Sequence, residues 1–171
     1  MAAQRKDQAD PADSRWLSPD EQEAWRGLLQ MHATLAAVLN RQLTAESDLS
    51  LQDYGVLVLL DEATDGQLRP NEIGRRLAAE KSRLSHHLAR LAERGLVTRR
   101  RCQEDGRGWW IRITVKGRRV LSAAAPRHVA AVRRVFVERL TPEQLAALVE
   151  ISRAVLENPA VEAECDATEG S

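Results

Sequence analysis

At Gly95 the spacing of apolar residues changes. Upstream, Leu84, Leu88 and Leu91 recur three and four apart, and at 3.6 residues per turn they fall on one helix face. Downstream, residues 97–102 and 109–114 are β-rich runs in which alternate residues share a face. Gly95 suits the left-handed residue that ends a helix. The charged, glycine-containing stretch Glu104, Asp105, Gly106, Arg107 and Gly108 joins the two runs as a hairpin tip. Few folds accept a short helix, a glycine stop and a hairpin in so little chain. Just upstream, Arg69, Pro70 and Asn71 open another short helix carrying Ile73 and Leu77, and Ala79, Glu80 and Lys81 form a brief connection. Two short helices, a tight turn and a hairpin make a winged helix-turn-helix. The expected fold class is therefore mainly α with a small β-hairpin wing.

The flanks read as helices. Ser18, Pro19 and Glu21 form a capping box with proline at the first helical position. Trp25, Leu28, Leu29, His32, Leu35, Ala36, Leu39 and Leu43 follow at helical spacing, to an end near residues 45–48. Ser50 with Asp53 starts a second helix through Tyr54, Leu57 and Leu60. Helical spacing returns over residues 115–139, where Pro126 predicts a kink or break near Ala125. Thr141, Pro142 and Gln144 form a second capping box, and Leu145, Leu148, Val149, Ser152 and Leu156 follow on the last helix. The expected organisation is a disordered tail at 1–17, a winged helix-turn-helix domain at 49–115, flanking helices at 18–48 and 116–157 whose apolar stripes lie outside that domain's core and suit dimerisation, and an acidic disordered tail at 158–171.

Charge points to the partner. The chain has 25 basic and 25 acidic residues, but they are segregated. Residues 69–119 carry fifteen Lys or Arg against five acids, a net of +10, and the remainder carries −10. A basic centre on an acidic scaffold suits a polyanion. On the helix around Leu88, the residues opposite the leucine stripe are Ser82, His86, Arg90 and Glu93, with Arg83 and Ser85 on the flanks. Arginine can fork onto guanine, and serine or histidine can bond base edges or phosphates. Amides near Lys81 favour a phosphate. His86 is expected to lie closest to the bases, with Arg90 a turn further along. Arg99, Arg100 and Arg101 either neutralise phosphates or guard a strand edge against aggregation.

The stretches LSLQDYGVLVLLDEATDGQLRPNEIGRRLAAEKSRLSHHLARLAERGLVTRR (residues 49–100) and EDGRGWWIRITVKGRRVL (residues 104–121) resemble the MarR family of bacterial transcriptional regulators. The resemblance extends more weakly over residues 18–157. It implies a homodimer with interlocked terminal helices, a recognition helix in the major groove and a wing in the minor groove. It makes Arg107 the wing-tip residue and Asp105 its structural partner. The expected DNA contacts are thus Lys81, Ser82, Arg83, Ser85, His86, Arg90, Arg99, Arg100 and Arg107. The function that follows is a sequence-specific, ligand-responsive repressor on a near-palindromic operator. A nonspecific architectural DNA protein is the alternative.

The resemblance also implies release of DNA by a small aromatic or phenolic effector. Trp25, Arg26, His32 and Tyr54 are candidates for its pocket, although Trp25 and His32 also read as packing residues. Trp109 and Trp110 depart from the family's aliphatic wing, and Trp110 is the expected exposed ring. Cys102 and Cys165 lack zinc-ligand spacing. Cys102 among arginines is either an activated thiol or a bystander strand residue. His86 and His87 project about 100° apart on a helix and cannot chelate one ion as an i, i+4 pair can. No phosphate loop or nucleophile motif is present, so neither an enzyme nor a cofactor or metal is expected. The polar N-terminus and the lack of a long apolar run predict a cytoplasmic protein without membrane spans.

Overall fold

The computed structural model describes residues 16–101 and 108–160. The expected tails fall largely on residues 1–15 and 161–171, outside the described residues, as do Cys102, Asp105, Arg107 and Cys165. Contacts divide the chain into two units, with the boundary between Ala36 and Ala37.

The first unit is the N-terminal part of α1 (Pro19–Ser47). The capping box closes as the sequence predicts. The Ser18 amide donates to Glu21 Oε2 at 2.7 Å, and the Glu21 amide donates to Ser18 Oγ at 3.3 Å. Trp25, Leu28, Leu29 and Met31 are exposed on this stretch.

The second unit contains the rest of α1, then α2 (Leu51–Glu62), β1 (Gln67–Leu68), α3 (Pro70–Leu77), α4 (Lys81–Glu93), β2 (Val97–Arg101), β3 (Trp109–Ile113), α5 (Val115–Val135) and α6 (Pro142–Leu156). Its core gathers Leu43, Leu57, Leu68, Ile73, Leu88, Val97 and Ile111, so every element from the end of α1 through β3 contributes. α2 begins in the Ser50–Asp53 capping box and α6 in the Thr141–Gln144 box. Each such cap stabilises its helix by about 1 kcal/mol.

The sheet has the order β1-β3-β2 and is antiparallel throughout. β1 has no signal in the sequence. Two residues are too few to show a period, and the strand exists only because Gln67 and Leu68 pair with Arg112 and Ile111. Of the kink or break expected near Ala125, the break does not occur. α5 passes through Pro126 without a break and ends at Val135, followed by a 3-10 turn at Val137–Arg139. Proline removes one backbone bond. Here Ala124, His128 and Ala131 are buried on either side of it, and their packing carries the helix across the gap.

The turn between α3 and α4 shows why the two helices meet closely. Ala78 takes a left-handed conformation, φ 47°, and the Ala79 amide returns to the Gly74 carbonyl at 2.9 Å. A Cβ at Gly74 would sit 3.3 Å from Leu84 Cδ2, so glycine lets α4 lie against α3.

Candidate nucleic-acid interface

α4 is held to the core along one side. Leu84, His87, Leu88 and Leu91 are buried. His87 joins a stripe that apolar spacing alone assigns to three leucines. Its Nε2 lies 3.2 Å from Asp53 Oδ1 on α2, without the alignment of a hydrogen bond. Arg90 Nη2 approaches His87 Nδ1 at 3.2 Å. A guanidinium can only donate, so Nδ1 accepts and the ring proton sits on Nε2, facing Asp53. Burial lowers the His87 pKa, and Asp53 opposes that shift without reversing it. Asp53 also accepts from the Ser50 amide and from Arg94 Nη1, at 2.8 and 3.2 Å. Arg94 reaches the Asp48 carbonyl as well. One buried carboxylate thus joins the start of α2 to both the middle and the end of α4.

The opposite side of α4 is open. Lys81, Ser82, Arg83, Ser85 and His86 are all exposed. Arg83 pairs with Glu80 at 3.0 Å, but its side chain remains 85% exposed, so the pair holds it weakly. No side chain caps the first turn of α4. Arg90 is exposed, yet its guanidinium is turned to His87 rather than straight outward.

The wing strands carry the rest of the basic surface. Arg99 Nη2 donates to the Ser85 carbonyl at 3.1 Å, linking β2 to α4. Arg100 and Arg101 are exposed, and Arg101 lies 5.9 Å from the Trp109 ring. The two tryptophans exchange the roles expected of them. Trp109 shares a face with buried Ile111 and Ile113 but is itself 49% exposed, because it stands at the end of the strand pair. Trp110 is half-buried under Arg69, whose guanidinium carbon lies 4.4 Å from the ring centroid.

Thus an exposed polar helix face, a short helix pressed behind it and a basic antiparallel wing stand together. The MarR family model matches residues 47–108, which carry α2, β1, α3, α4 and β2 and stop one residue short of β3. The chain is 41% identical to Sco3205 of Streptomyces coelicolor, a MarR family transcriptional regulator whose structure was solved in complex with DNA. That match covers 84% of this chain and 90% of Sco3205, with a TM-score of 0.79. The chain belongs to the MarR family. AbsC, another MarR family transcriptional regulator of Streptomyces coelicolor, is 36% identical over 84% of this chain and 96% of its own, with a TM-score of 0.78. The HTH-type transcriptional repressor YetL of Bacillus subtilis is 33% identical over 88 residues, about half the length of each chain.

Within this MarR family chain the four effector candidates have unlike settings. Trp25 and His32 are exposed on α1, not packed, and Arg26 Nη2 donates to Gln22 Oε1 at 3.0 Å. Tyr54 packs against His128, with ring centroids 4.4 Å apart, and His128 Nδ1 lies 3.3 Å from Gln42 Oε1. A cleft of 720 Å³ beside the wing is lined by Glu62, Asp65 and Glu72 as well as Arg76, Arg100 and Trp110. Its opposing charges give no clear preference for an anion. Among the described residues, no cluster of His, Cys, Asp and Glu could hold a metal ion, and no helix is long and apolar enough to cross a membrane. Sequence reasoning missed His87, Asp53, Arg94 and Arg69. For His87 a signal existed, since it lies three residues from Leu84 and four from Leu91.

Proposed function

We propose that the protein is a sequence-specific DNA-binding repressor that acts as a homodimer on a near-palindromic operator. The observation that carries the reading is the two-sided character of α4. Leu84, His87, Leu88 and Leu91 anchor one side, while Lys81, Ser82, Arg83, Ser85 and His86 leave the other side to a partner. A helix presented in this way enters a major groove, where serine, histidine and arginine bond base edges. Arg99 and Arg100 on β2 supply phosphate contacts, and Arg107, the wing-tip residue by the family resemblance, supplies a minor-groove contact. The DNA complex of Sco3205, at 41% identity, supports the same assignment.

Homodimerisation is supported separately in each unit. The N-terminal stretch of α1 exposes Trp25, Leu28, Leu29 and Met31. α6 has no buried residue and exposes Val149 and Leu156 on one side and Ile151 and Val155 on another. Exposed apolar surface of this extent marks an interaction surface. Twofold symmetry duplicates α4 and calls for half-sites about one helical turn, ~10 bp, apart.

Selection of bound sequences from random DNA at physiological salt tests the reading. A near-palindrome enriched well above random DNA is the expected result. Enrichment without sequence preference would instead identify an architectural protein, because a phosphate-only binder discriminates little. Release by a small aromatic effector belongs to the same reading and rests on the family resemblance. Titration of the operator complex with a panel of phenolic acids tests it.

A further inference from the structure

The sheet register places Trp110 between two arginines. Arg100 is its partner on β2. On the other side, β1 pairs Gln67 with Arg112 and Leu68 with Ile111, and Arg69 follows in extended backbone, φ −72° and ψ 145°, as the N-cap of α3. Its guanidinium carbon lies 4.4 Å from the Trp110 ring centroid, within range of a cation–π stack. Gly108 makes room for that guanidinium. A Cβ there would run into Arg69 Nη1 and crowd Arg69 Cζ at 3.1 Å. Three residues that share no motif therefore meet where β3 begins and α3 starts.

We propose that Arg69, Trp110 and Gly108 form a clamp that sets the wing's angle against the helix-turn-helix, making Arg69 a positioning residue for the bases read by the wing. The proposal rests on the DNA-binding reading above. The physical argument is one of leverage. The inner ends of β2 and β3 are fixed in the core by Val97, Ile111 and Ile113, and the Thr114 amide donates to the Leu96 carbonyl between them. Their outer ends, where Arg100 and Arg101 pair with Trp110 and Trp109, put no residue into that core. An outer end free of the core can pivot about its fixed root. A rigid ring stacked on the first residue before α3 removes that freedom, and the wing then meets a groove without first losing entropy. Arg69 does this at the helix's N-cap, where its own backbone is set by Pro70 at N1.

The clamp has a test that separates it from a phosphate contact. Arg69→Ala, Gly108→Ala and Trp110→Ala should each weaken base preference at the outer, wing-read positions of the selected operator by about 3- to 10-fold, the scale of a partly exposed cation–π contact. Preference at the positions read by α4 should hold, and thermal midpoints should change little. Gly108→Ala and Trp110→Ala should leave the salt slope unchanged, and Trp110→Phe should restore most of the outer preference. The Arg69→Ala/Trp110→Ala double variant should be no worse than either single one. Independent, additive losses would overturn the clamp. So would a drop of about 0.9 in the salt slope for Arg69→Ala with no effect of Gly108→Ala, which would make Arg69 a phosphate ligand. A second measurement needs no DNA. In a Trp16→Phe/Trp25→Phe/Trp109→Phe background, Arg69→Ala and Gly108→Ala should raise acrylamide quenching of Trp110, and unchanged quenching would overturn the stack. Should the parent protein select no sequence at all, the functional reading fails while the quenching result still decides whether the stack exists.

Discussion

His87 links the core to an arginine on the exposed side of α4. Its ring is buried beside Asp53, and Arg90 donates to it from the exposed side of the helix. Burial lowers its pKa in the folded protein below the ordinary value of 6.5, and burial does the same to His128. The unfolded chain therefore binds protons that the folded chain refuses as pH falls below about 6.5. The contribution of both histidines is complete above that pH and is lost progressively below it. Urea midpoints should decline between about pH 7.5 and 5.5. The His87→Gln/His128→Gln variant should show a shallower decline, and equal slopes would contradict the buried neutral state. A second expectation concerns Asp53, whose carboxylate accepts from the Ser50 amide and Arg94. Asp53→Asn should cost about 1–3 kcal/mol in urea denaturation, because it weakens charge-assisted bonds at a buried site. The Ser50–Asp53 box follows from spacing, but the pairings of Asp53 with His87 and Arg94 do not. Asp53 and Arg94 are 41 positions apart, and only folding brings them together.

Among the elements, the boundaries with local chemical causes are the ones the sequence predicts. The capping boxes at Ser18, Ser50 and Thr141 and the positive φ of Gly95, 73°, all occur where residue type demands them. Ala78 is the exception, an alanine held at φ 47° to close the turn before α4. A left-handed alanine costs about 1–2 kcal/mol, and glycine recovers most of that less its own entropy. Ala78→Gly should therefore stabilise the protein by about 0.5–1 kcal/mol, measured as a higher urea midpoint. α4 and β2 should also part company in DNA binding. His86→Ala should flatten preference at one symmetric pair of operator positions by about 1–3 kcal/mol. Arg100→Ala should weaken all sequences alike and lower the salt slope by about one. Indistinguishable profiles would mean that the helix is not the reader. Arg90 reads differently from sequence and structure because a helical wheel gives only a direction. The guanidinium is long enough to fold back onto His87.

For the whole molecule, the exposed apolar residues on the N-terminal stretch of α1 and on α6 lead to the largest prediction. Light scattering should give about twice the 19.1 kDa chain mass. Ile151→Glu, at an α6 residue that is 60% exposed in the single chain, should shift the protein toward monomer and weaken operator binding while helix content persists. A wild-type monomer at all concentrations would remove the case for a palindrome. The sequence by itself determined the order of the major elements, the caps at Ser18, Ser50 and Thr141, the basic centre and the exposed residues of α4. Each depends on neighbours within a turn or on composition, so local chemistry is enough. Only the tertiary structure decided that β1 exists, that α5 continues through Pro126, that His87 belongs to the core and that Trp110 lies under Arg69. Those outcomes depend on partners far along the chain, where a strand is made by its pairing, a helix is carried by its packing, and a ring is buried by whatever folds over it.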